Sequence, residues 1–249
     1  MNKTSENKLL GILGGLGPMA TAYFYELLTA YTVAKCDQEH IDMVISSKSS
    51  TPDRSSYILG LCKDNPLPVM ISEAKKLEAY GADVIAIPCN TAHYFYDGLA
   101  QGCQVPILNI IDETCAHLSH MSVQRFGLLA TEGTIRAGAY ERFCEPRGLC
   151  CVTPTKDEQA IITDIIFGQI KQNKPVDMDA FQKVVTSLRS RGCEKIVLGC
   201  TELSLLKKLG LDDELFVDSL DVLAYRTIVA CGKTPVGFPS SFDREEVAR

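Results

Sequence analysis

The chain has 249 residues, of which 46% are hydrophobic and 22% charged, and its formal net charge is −6; this length fits one large α/β domain or two smaller ones. The lack of a basic cluster argues against nucleic-acid binding, and no apolar run approaches the roughly 20 residues that a membrane helix needs. The polar start at residues 1–8 does not resemble a signal peptide, so we expect a cytoplasmic protein. The eleven cysteines are scattered and include no CxxC pair, which predicts neither a disulfide framework nor a zinc site. We therefore expect reduced thiols and no metal.

Taken in chain order, short apolar runs alternate with helical stretches. Strands are predicted at residues 9–13, 41–46, 84–87, 106–110, 126–129, 150–152, 196–198 and 215–217. Helices are predicted at residues 18–34, 69–80, 159–171, 178–191 and 221–231, with Pro18 in a first turn and Gly81 as a C-cap. Because the strands are continuously apolar and separated by helices, the pattern predicts an α/β fold with parallel sheets.

The two halves of the chain repeat weakly. Residues 11–17 resemble residues 127–133, and a glycine lies eight residues before Cys89 and again eight residues before Cys200. This repetition predicts two duplicated α/β units with pseudo-twofold symmetry. The predicted division assigns residues 1–110 and 214–249 to a first domain, closed by the C-terminal helix, and residues 111–213 to a second.

Cys89 and Cys200 each follow a predicted strand and precede polar residues. Ligands of parallel sheets bind at the carboxyl ends of strands, so two facing units would place these thiols on opposite sides of one cleft. If a helix begins after each thiol, its N-terminus favours an anion, and a thiol there has a pKa below the free value of about 8.5. Main-chain N–H groups that could hold a substrate carboxylate are those of Asn90, Thr91, Thr201 and Glu202.

Two acid/base groups on opposite faces of one carbon atom are suited to one particular reaction. One group removes a proton, the other returns a proton from the far side, and the stereocentre is inverted. The alternative for each of the two cysteines is an inert core position, which is the common fate of a free thiol.

The chain resembles the PLP-independent aspartate/glutamate racemase family, most closely its aspartate racemases. The matching segments are GILGGLGPMAT at 11–21, DQEH at 37–40, PDR at 52–54, PCNTAH at 88–93, LATEGT at 129–134 and GCTE at 199–202. The resemblance implies two α/β domains with the active site between them, a homodimer, and no metal, PLP or nucleotide cofactor. It also implies that Cys89 and Cys200 are the two catalytic bases. Glu202 stands where glutamate racemases carry histidine, which favours aspartate over glutamate as the substrate.

A dicarboxylic amino acid needs a cation for each carboxylate. Arg54 resembles the cleft arginine of aspartate racemases, whose planar fork can hold a carboxylate bidentately; the alternative is a surface arginine bonded to Asp53. Lys171 resembles the second cation of the family, and the alternative is a lysine that favours a helix C-terminus.

Several further residues are candidates for substrate binding. Ser50, between two other hydroxyl residues, could donate to the distal carboxylate, and Gly15 could let the main chain approach a small substrate, because the glycine run lacks the G-x-G-x-x-G of dinucleotide sites. Thr131 is the counterpart of that run in the second half. His93, four residues after Cys89, either influences this thiol or packs locally.

Two other classes of function stay open. Related enzymes that decarboxylate arylmalonates, racemise hydantoins or isomerise maleate share the chemistry of deprotonation beside a carbonyl, although Arg54 and the DQEH and PDR segments argue against them. The second class is a non-catalytic binding protein or a thiol redox sensor, which would need an exposed thiol near a resolving partner.

Overall fold

The computed structural model describes residues 8–211 and 214–242, and within them all eight predicted strands are confirmed. They are β1 (Leu9–Gly14), β2 (Asp42–Ser47), β3 (Val84–Ala86), β4 (Ile107–Leu108), β5 (Arg125–Leu129), β6 (Cys150–Val152), β7 (Lys195–Leu198) and β8 (Phe216–Asp218). They form two parallel four-stranded sheets, in the orders β2-β1-β3-β4 and β6-β5-β7-β8. Since both sheets use the same order along the chain, the predicted duplication is present in the fold.

Helices connect the strands of both sheets. The α-helices are α1 (Pro18–Ala30), α2 (Arg54–Ile58), α3 (Leu67–Tyr80), α4 (Tyr96–Gly102), α5 (Ile110–His120), α6 (Glu132–Arg136), α7 (Glu141–Cys144), α8 (Lys156–Thr163), α9 (Met178–Ser190) and α10 (Ser219–Ala230). Within the described residues, every helix is too short or too polar to cross a membrane.

The strand order places the carboxyl ends of four strands at one cleft. In each sheet the second strand pairs on one side of the first strand, and the third strand pairs on its other side. The strand order therefore changes direction between β1 and β3 and between β5 and β7. Ligand sites of open parallel sheets lie at such switch points. The loops after β1, β3, β5 and β7 are therefore the segments that can build a shared site.

The two sheets share one apolar core. Leu10 and Ile12 of β1 and Phe126 and Leu128 of β5 lie in a single buried cluster, to which α1, α5 and α10 also contribute. Two further clusters cover the outer faces, one with α3 on the first sheet and one with α8 and α9 on the second. Because burying each large side chain contributes about 1.5–3 kcal/mol, the common core holds the two halves in a defined arrangement.

The predicted helix at residues 159–171 is only partly correct. Helix α8 ends at Thr163, a π-helical segment follows at Asp164–Gln169, and a 3₁₀ turn follows at Ile170–Gln172. A Cβ atom at Gly168 would lie 2.2 Å from Oδ1 of Asp164, and Oδ2 of Asp164 accepts a hydrogen bond from Gln169 at 2.7 Å. Glycine at residue 168 thus leaves room for the Asp164 side chain to lie over the helix, and π-helical segments are frequent at functional sites.

No helix is predicted over residues 110–120, yet α5 occupies them. Asn109 accepts hydrogen bonds from the N–H groups of Ile111 and Asp112 through its side chain, which is the ordinary N-cap arrangement. Acidic residues in the first turn and histidines in the last complement the helix dipole. These capping and charge signals are present in the sequence and are sufficient to predict α5.

The predicted domain boundary at residue 214 separates a strand from its sheet. Strand β8 falls in the range assigned to the first domain, but it pairs with β7 in the second sheet, for example Val197 with Val217. Helix α10 directly follows β8 and packs in the core that both halves share. The division of the chain into two domains stays a prediction, with β8 belonging to the second sheet.

Candidate active site

The loops after β1, β3, β5 and β7 enclose a buried cleft between the two sheets. Its cavity of about 20 Å³ has room for little more than one water molecule. Segments from both halves line it, including α2 and the irregular segment after α8. The lining residues are Leu16, Asp53, Arg54, Ser55, Cys89, Asn90, Thr91, Thr131, Phe167, Lys171, Cys200, Thr201 and Glu202.

Both predicted thiols line this cleft. Cys89 follows β3, Cys200 follows β7, and the two residues are 6% and 5% exposed. All eleven cysteines lie in the described residues as free thiols, and Cys89 and Cys200 are the two that reach the cleft. The structure therefore brings together, from opposite halves, the pair that the sequence singles out.

The electrostatic surroundings of Cys200 are opposite to those expected from the sequence. Its Sγ donates a hydrogen bond to Oε2 of Glu202 at 3.0 Å. Burial raises the pKa of the Cys200 thiol well above its ordinary value, the negative charge of Glu202 adds to this, and Lys171 opposes it. The expected lowering of the pKa is thus wrong for Cys200, because the thiol is buried, a carboxylate lies beside it, and the 3₁₀ helix that follows begins only at Leu203.

Lys171 reaches the cleft from the 3₁₀ turn after the π-helical segment. Its Nζ lies 2.5 Å from Oε1 of Glu202 and 5.5 Å from the centre of the Phe167 ring. Burial lowers the pKa of Lys171, but the charges of Glu202 and Cys200 outweigh this and raise it above its ordinary value. Lys171 is therefore a cation at neutral pH, and Glu202 is bonded to Lys171 and Cys200 through its two oxygens.

Arg54 begins α2 and is only 8% exposed. Its guanidinium donates to the carbonyl oxygens of Leu16 at 2.7 Å and Pro52 at 3.1 Å, and its buried Nε has no hydrogen-bond partner in the described part of the chain. Asp53 does not pair with it, because the Asp53 carboxylate instead accepts from the N–H of Ser56 at 2.7 Å. Arg54 is thus not the surface arginine of the alternative interpretation, and its buried charge lacks a carboxylate partner among the described residues.

Hydroxyl groups from both halves meet at the wall of the cleft. Oγ1 of Thr91 lies 3.0 Å from that of Thr131 and 2.9 Å from that of Thr134, and Ser55 donates to Thr131 at 3.2 Å. A Cβ atom on Gly133 would lie 2.7 Å from Cα of Ser55, so glycine lets α6 approach α2 closely. Thr131 is therefore in the cleft, as predicted, and Ser55 also lines it although it is not a predicted site residue, whereas Thr134 contacts Thr91 and Thr131 without lining the cleft.

Two predicted substrate-binding residues lie outside the cleft. Gly15 has a φ of +81°, and a Cβ atom there would lie 2.5 Å from the main-chain N of Lys48, so this glycine serves the turn and its contact with the end of β2. Ser50 is exposed and does not line the cleft. The glycine that approaches the site is Gly17, whose Cβ would lie 2.5 Å from Oε1 of Glu202.

The side chain of Asn90 is turned away from a substrate role. It is 2% exposed, its amide donates to Ser219 at 2.9 Å, and its carbonyl accepts from Tyr140 at 2.8 Å. In the described part of the chain, the main-chain N–H groups of Asn90 and Thr201 donate to no main-chain carbonyl. Two of the four predicted main-chain donors, those of Asn90 and Thr201, thus remain available to a carboxylate, while the Asn90 side chain is not.

His93 packs locally and contacts main-chain groups. Its Nδ1 lies 2.9 Å from the carbonyl oxygen of Cys89, and its Nε2 accepts from the N–H of Ile110 at 3.3 Å. Burial lowers the pKa of His93, so the ring is neutral and holds the loop after β3 instead of adding charge to the site. Across the described ranges, His, Cys, Asp and Glu side chains form no group of three or more that could bind a metal ion.

Replacing Glu202 by glutamine tests the electrostatics at Cys200. Because the Glu202 charge raises the pKa of this thiol and Lys171 lowers it, Glu202→Gln should move the midpoint of Cys200 ionisation to lower pH. The measurement is the pH dependence of iodoacetamide alkylation at Cys200, resolved by peptide mass spectrometry. Exposed Glu145→Gln is the control and should leave the midpoint unchanged. An unchanged or raised midpoint in Glu202→Gln contradicts this account.

Comparison with known proteins agrees with this geometry. The sequence model of the Asp/Glu/hydantoin racemase family matches residues 13–226. A broad-specificity amino-acid racemase of Bacillus subtilis, RacX, is 29% identical over 225 residues, which cover 88% of this chain and 96% of that protein.

Solved structures show the same similarity. Aspartate racemase from Picrophilus torridus has a TM-score of 0.81 and 28% identity, covering 95% of this chain and 98% of that one. An aspartate racemase homologue from Pyrococcus horikoshii has a TM-score of 0.73 and 27% identity, covering 90% of this chain and 99% of that one.

Proposed function

Because the chain belongs to the Asp/Glu/hydantoin racemase family, we propose that it interconverts L- and D-aspartate, with glutamate as a further substrate, by a two-base reaction without a cofactor. The observation that carries the proposal is that Cys89 and Cys200 reach one buried cleft from opposite halves of the fold. Arg54 and Lys171 in the same cleft supply cations for two carboxylates.

The proposed reaction transfers one proton at each face of the α-carbon. A thiolate removes the α-proton from one face and becomes a thiol, while the opposite thiol delivers its proton to the other face and becomes a thiolate. The stereocentre is inverted and the protonation states of Cys89 and Cys200 are exchanged. The enzyme form left after one turnover therefore accepts the product enantiomer.

We assign Glu202 to Cys200 instead of to the substrate, which differs from the role expected from the sequence. Both of its oxygens are engaged, one with the thiol at 3.0 Å and one with Lys171 at 2.5 Å. A substrate carboxylate that binds Lys171 takes the place of Glu202 beside this cation. Because burial and the Glu202 charge raise the pKa of Cys200 and Lys171 opposes them, Cys200 then stays a thiol that can deliver its proton to the α-carbon.

The charges of the cleft favour a dicarboxylic amino acid. Glu202 balances Lys171, and the exposed carboxylate of Asp53 caps α2, which leaves buried Arg54 without a counter-ion among the lining residues. Aspartate and glutamate carry one net negative charge at neutral pH and can neutralise the positive charge of Arg54, whereas alanine has no net charge. The second candidate is racemisation of a wider range of amino acids, which the similarity to RacX supports.

Serine substitution of either cleft cysteine tests the two-base reaction. Cys89→Ser and Cys200→Ser should each lower the rate of aspartate inversion by at least about 100-fold, because a hydroxyl is a far weaker acid and base at neutral pH than a thiol. The measurement is inversion by chiral chromatography together with α-deuterium incorporation in D₂O. A single variant can still exchange the α-proton of one enantiomer.

The matched control is Cys103→Ser, which alters a buried thiol of the first half that lies outside the cleft, and it should keep wild-type activity. Wild-type activity in either cleft variant refutes the assignment. If the wild-type chain neither exchanges nor inverts any amino acid, the proposed function itself is wrong.

Arg54→Ala tests the recognition of the second carboxylate. We expect kcat/KM for aspartate to fall on the order of 100-fold or more, since truncating one partner of a buried charged contact costs about 2–5 kcal/mol. The loss should be smaller for alanine, and a panel of aspartate, glutamate, alanine and lysine measures both effects. Arg142→Ala, which removes a surface arginine paired with Asp97 at 2.9 Å, is the control. Equal losses for aspartate and alanine would falsify the assignment.

We also propose that the protein is a cytoplasmic homodimer, as the family resemblance implies. Among the described residues, most exposed large apolar side chains lie in the first half, namely Met19, Tyr25, Val33, Ile45, Leu61, Tyr80 and Tyr94, and those that adjoin in one patch would mark the subunit interface. The free thiols agree with a reducing compartment. Light scattering should give twice the chain mass of 27.3 kDa, and a mass of one chain would contradict the dimer.

A further inference from the structure

Residues beside Cys89 are hydrogen bonded to residues beside Cys200. The first connection is direct, because Oγ1 of Thr201 donates to the carbonyl oxygen of Pro88 at 3.1 Å. Pro88 immediately precedes Cys89 and Thr201 immediately follows Cys200. This bond joins the two loops that carry the thiols.

The second connection passes through Ser219, the first residue of α10. The side-chain amide of Asn90 donates to Oγ of Ser219 at 2.9 Å, and the Ser219 hydroxyl donates in turn to the carbonyl oxygen of Leu198 at 2.7 Å. Asn90 follows Cys89, and Leu198 ends β7 two residues before Cys200. The two thiol loops are thus linked once directly, through Thr201 and Pro88, and once indirectly, through Ser219.

Tyr140 fixes the orientation of the Asn90 amide. Its hydroxyl donates to Oδ1 of Asn90 at 2.8 Å, so the amide nitrogen is left to donate to Ser219. Tyr140 is completely buried, and this burial raises the pKa of its hydroxyl well above the ordinary value, so that it remains a donor. Its ring packs against Phe126 of β5 at 6.3 Å between centroids, which anchors the hydroxyl in the core that the two sheets share.

We propose that Tyr140 and Ser219 are positioning residues that set the separation of the two catalytic thiols. The inference rests on the two-thiol reaction proposed above. Neither residue lines the cleft, and both are completely buried, so their effect on the reaction passes through Asn90 and Leu198. Inversion needs both thiols within reach of one α-carbon at the same time, whereas exchange of the α-proton needs only one, and displacements of about 1 Å can lower rates by about 100-fold.

Tyr140→Phe and Ser219→Ala test the proposal by removing single hydroxyls. Phenylalanine keeps the ring that packs on Phe126, and alanine leaves the first turn of α10 intact. The rates of inversion and of α-deuterium incorporation are measured in D₂O from L-aspartate. Inversion should fall roughly 10- to 100-fold with KM nearly unchanged, because neither residue contacts the substrate. Exchange should fall less, so the ratio of exchange to inversion should rise.

The control is Tyr96→Phe, which removes the hydroxyl of a half-buried tyrosine that donates to the carbonyl oxygen of Ile107 at 3.2 Å. Tyr96 does not line the cleft, so this variant should keep the wild-type ratio of exchange to inversion. A purely structural role for Tyr140 predicts the same behaviour in both tyrosine variants.

Thr201 provides an independent pair of variants for the direct connection. Thr201→Val removes the hydroxyl that donates to Pro88 at nearly the same size, and its ratio should lie above that of Thr201→Ser, which keeps the hydroxyl. Tyr140→Phe and Ser219→Ala remove different hydroxyls, so either one decides the matter if the other does not fold. Folded Tyr140→Phe and Ser219→Ala proteins with wild-type inversion and ratio overturn the proposal, while an inactive wild-type chain counts against the proposed function instead.

Discussion

Desolvation of charged and ionisable groups is the constraint on which the rest of the site depends. Two thiols, a guanidinium, a carboxylate and an ammonium group share a cavity of about 20 Å³, and an unpaired charge costs several kcal/mol in such surroundings. Glu202 lowers this cost by contacting Cys200 and Lys171 together, and Arg54 is held by main-chain carbonyls. The site is therefore organised before a substrate arrives, with one buried cation still unmatched among the lining residues.

The duplicated fold makes this arrangement accessible. A single parallel sheet presents its strand ends in one direction, so it offers acid/base groups on one side of a ligand only. Here two sheets with the same strand order pack on the core that contains Leu10 and Phe126, and the loops at their switch points line one cleft. The proposed inversion at a carbon atom agrees with this symmetry, because equivalent strand ends of the two halves carry the two thiols.

The sequence predicts what depends on local pattern or on motifs, and it misses what depends on contacts between distant segments. Continuous apolar runs predict the eight strands, and the equal spacing before Cys89 and Cys200 predicts their common cleft. The hydrogen bonds of Tyr140 join residues far apart in the chain, so no local pattern reveals them. The raised pKa of Cys200 likewise depends on the rotamer of Glu202, which directs one oxygen to the thiol. The glycine run predicts a substrate role for Gly15, but its positive φ belongs to the folded turn and cannot be recognised from the motif.

Opening of the cleft and recognition of the substrate are linked by one ion pair. A cavity with room for little more than one water molecule does not hold aspartate, so the cleft has to widen, and we expect the wall formed by Phe167 and Lys171 to move away from Glu202. That wall is the π-helical and 3₁₀ stretch, where the regular i→i−4 ladder of an α-helix is interrupted and rearrangement costs least. This movement leaves Lys171 without its carboxylate partner Glu202, so that a substrate carboxylate can bind it. The ion pair that closes the empty cleft is then exchanged for one with the substrate.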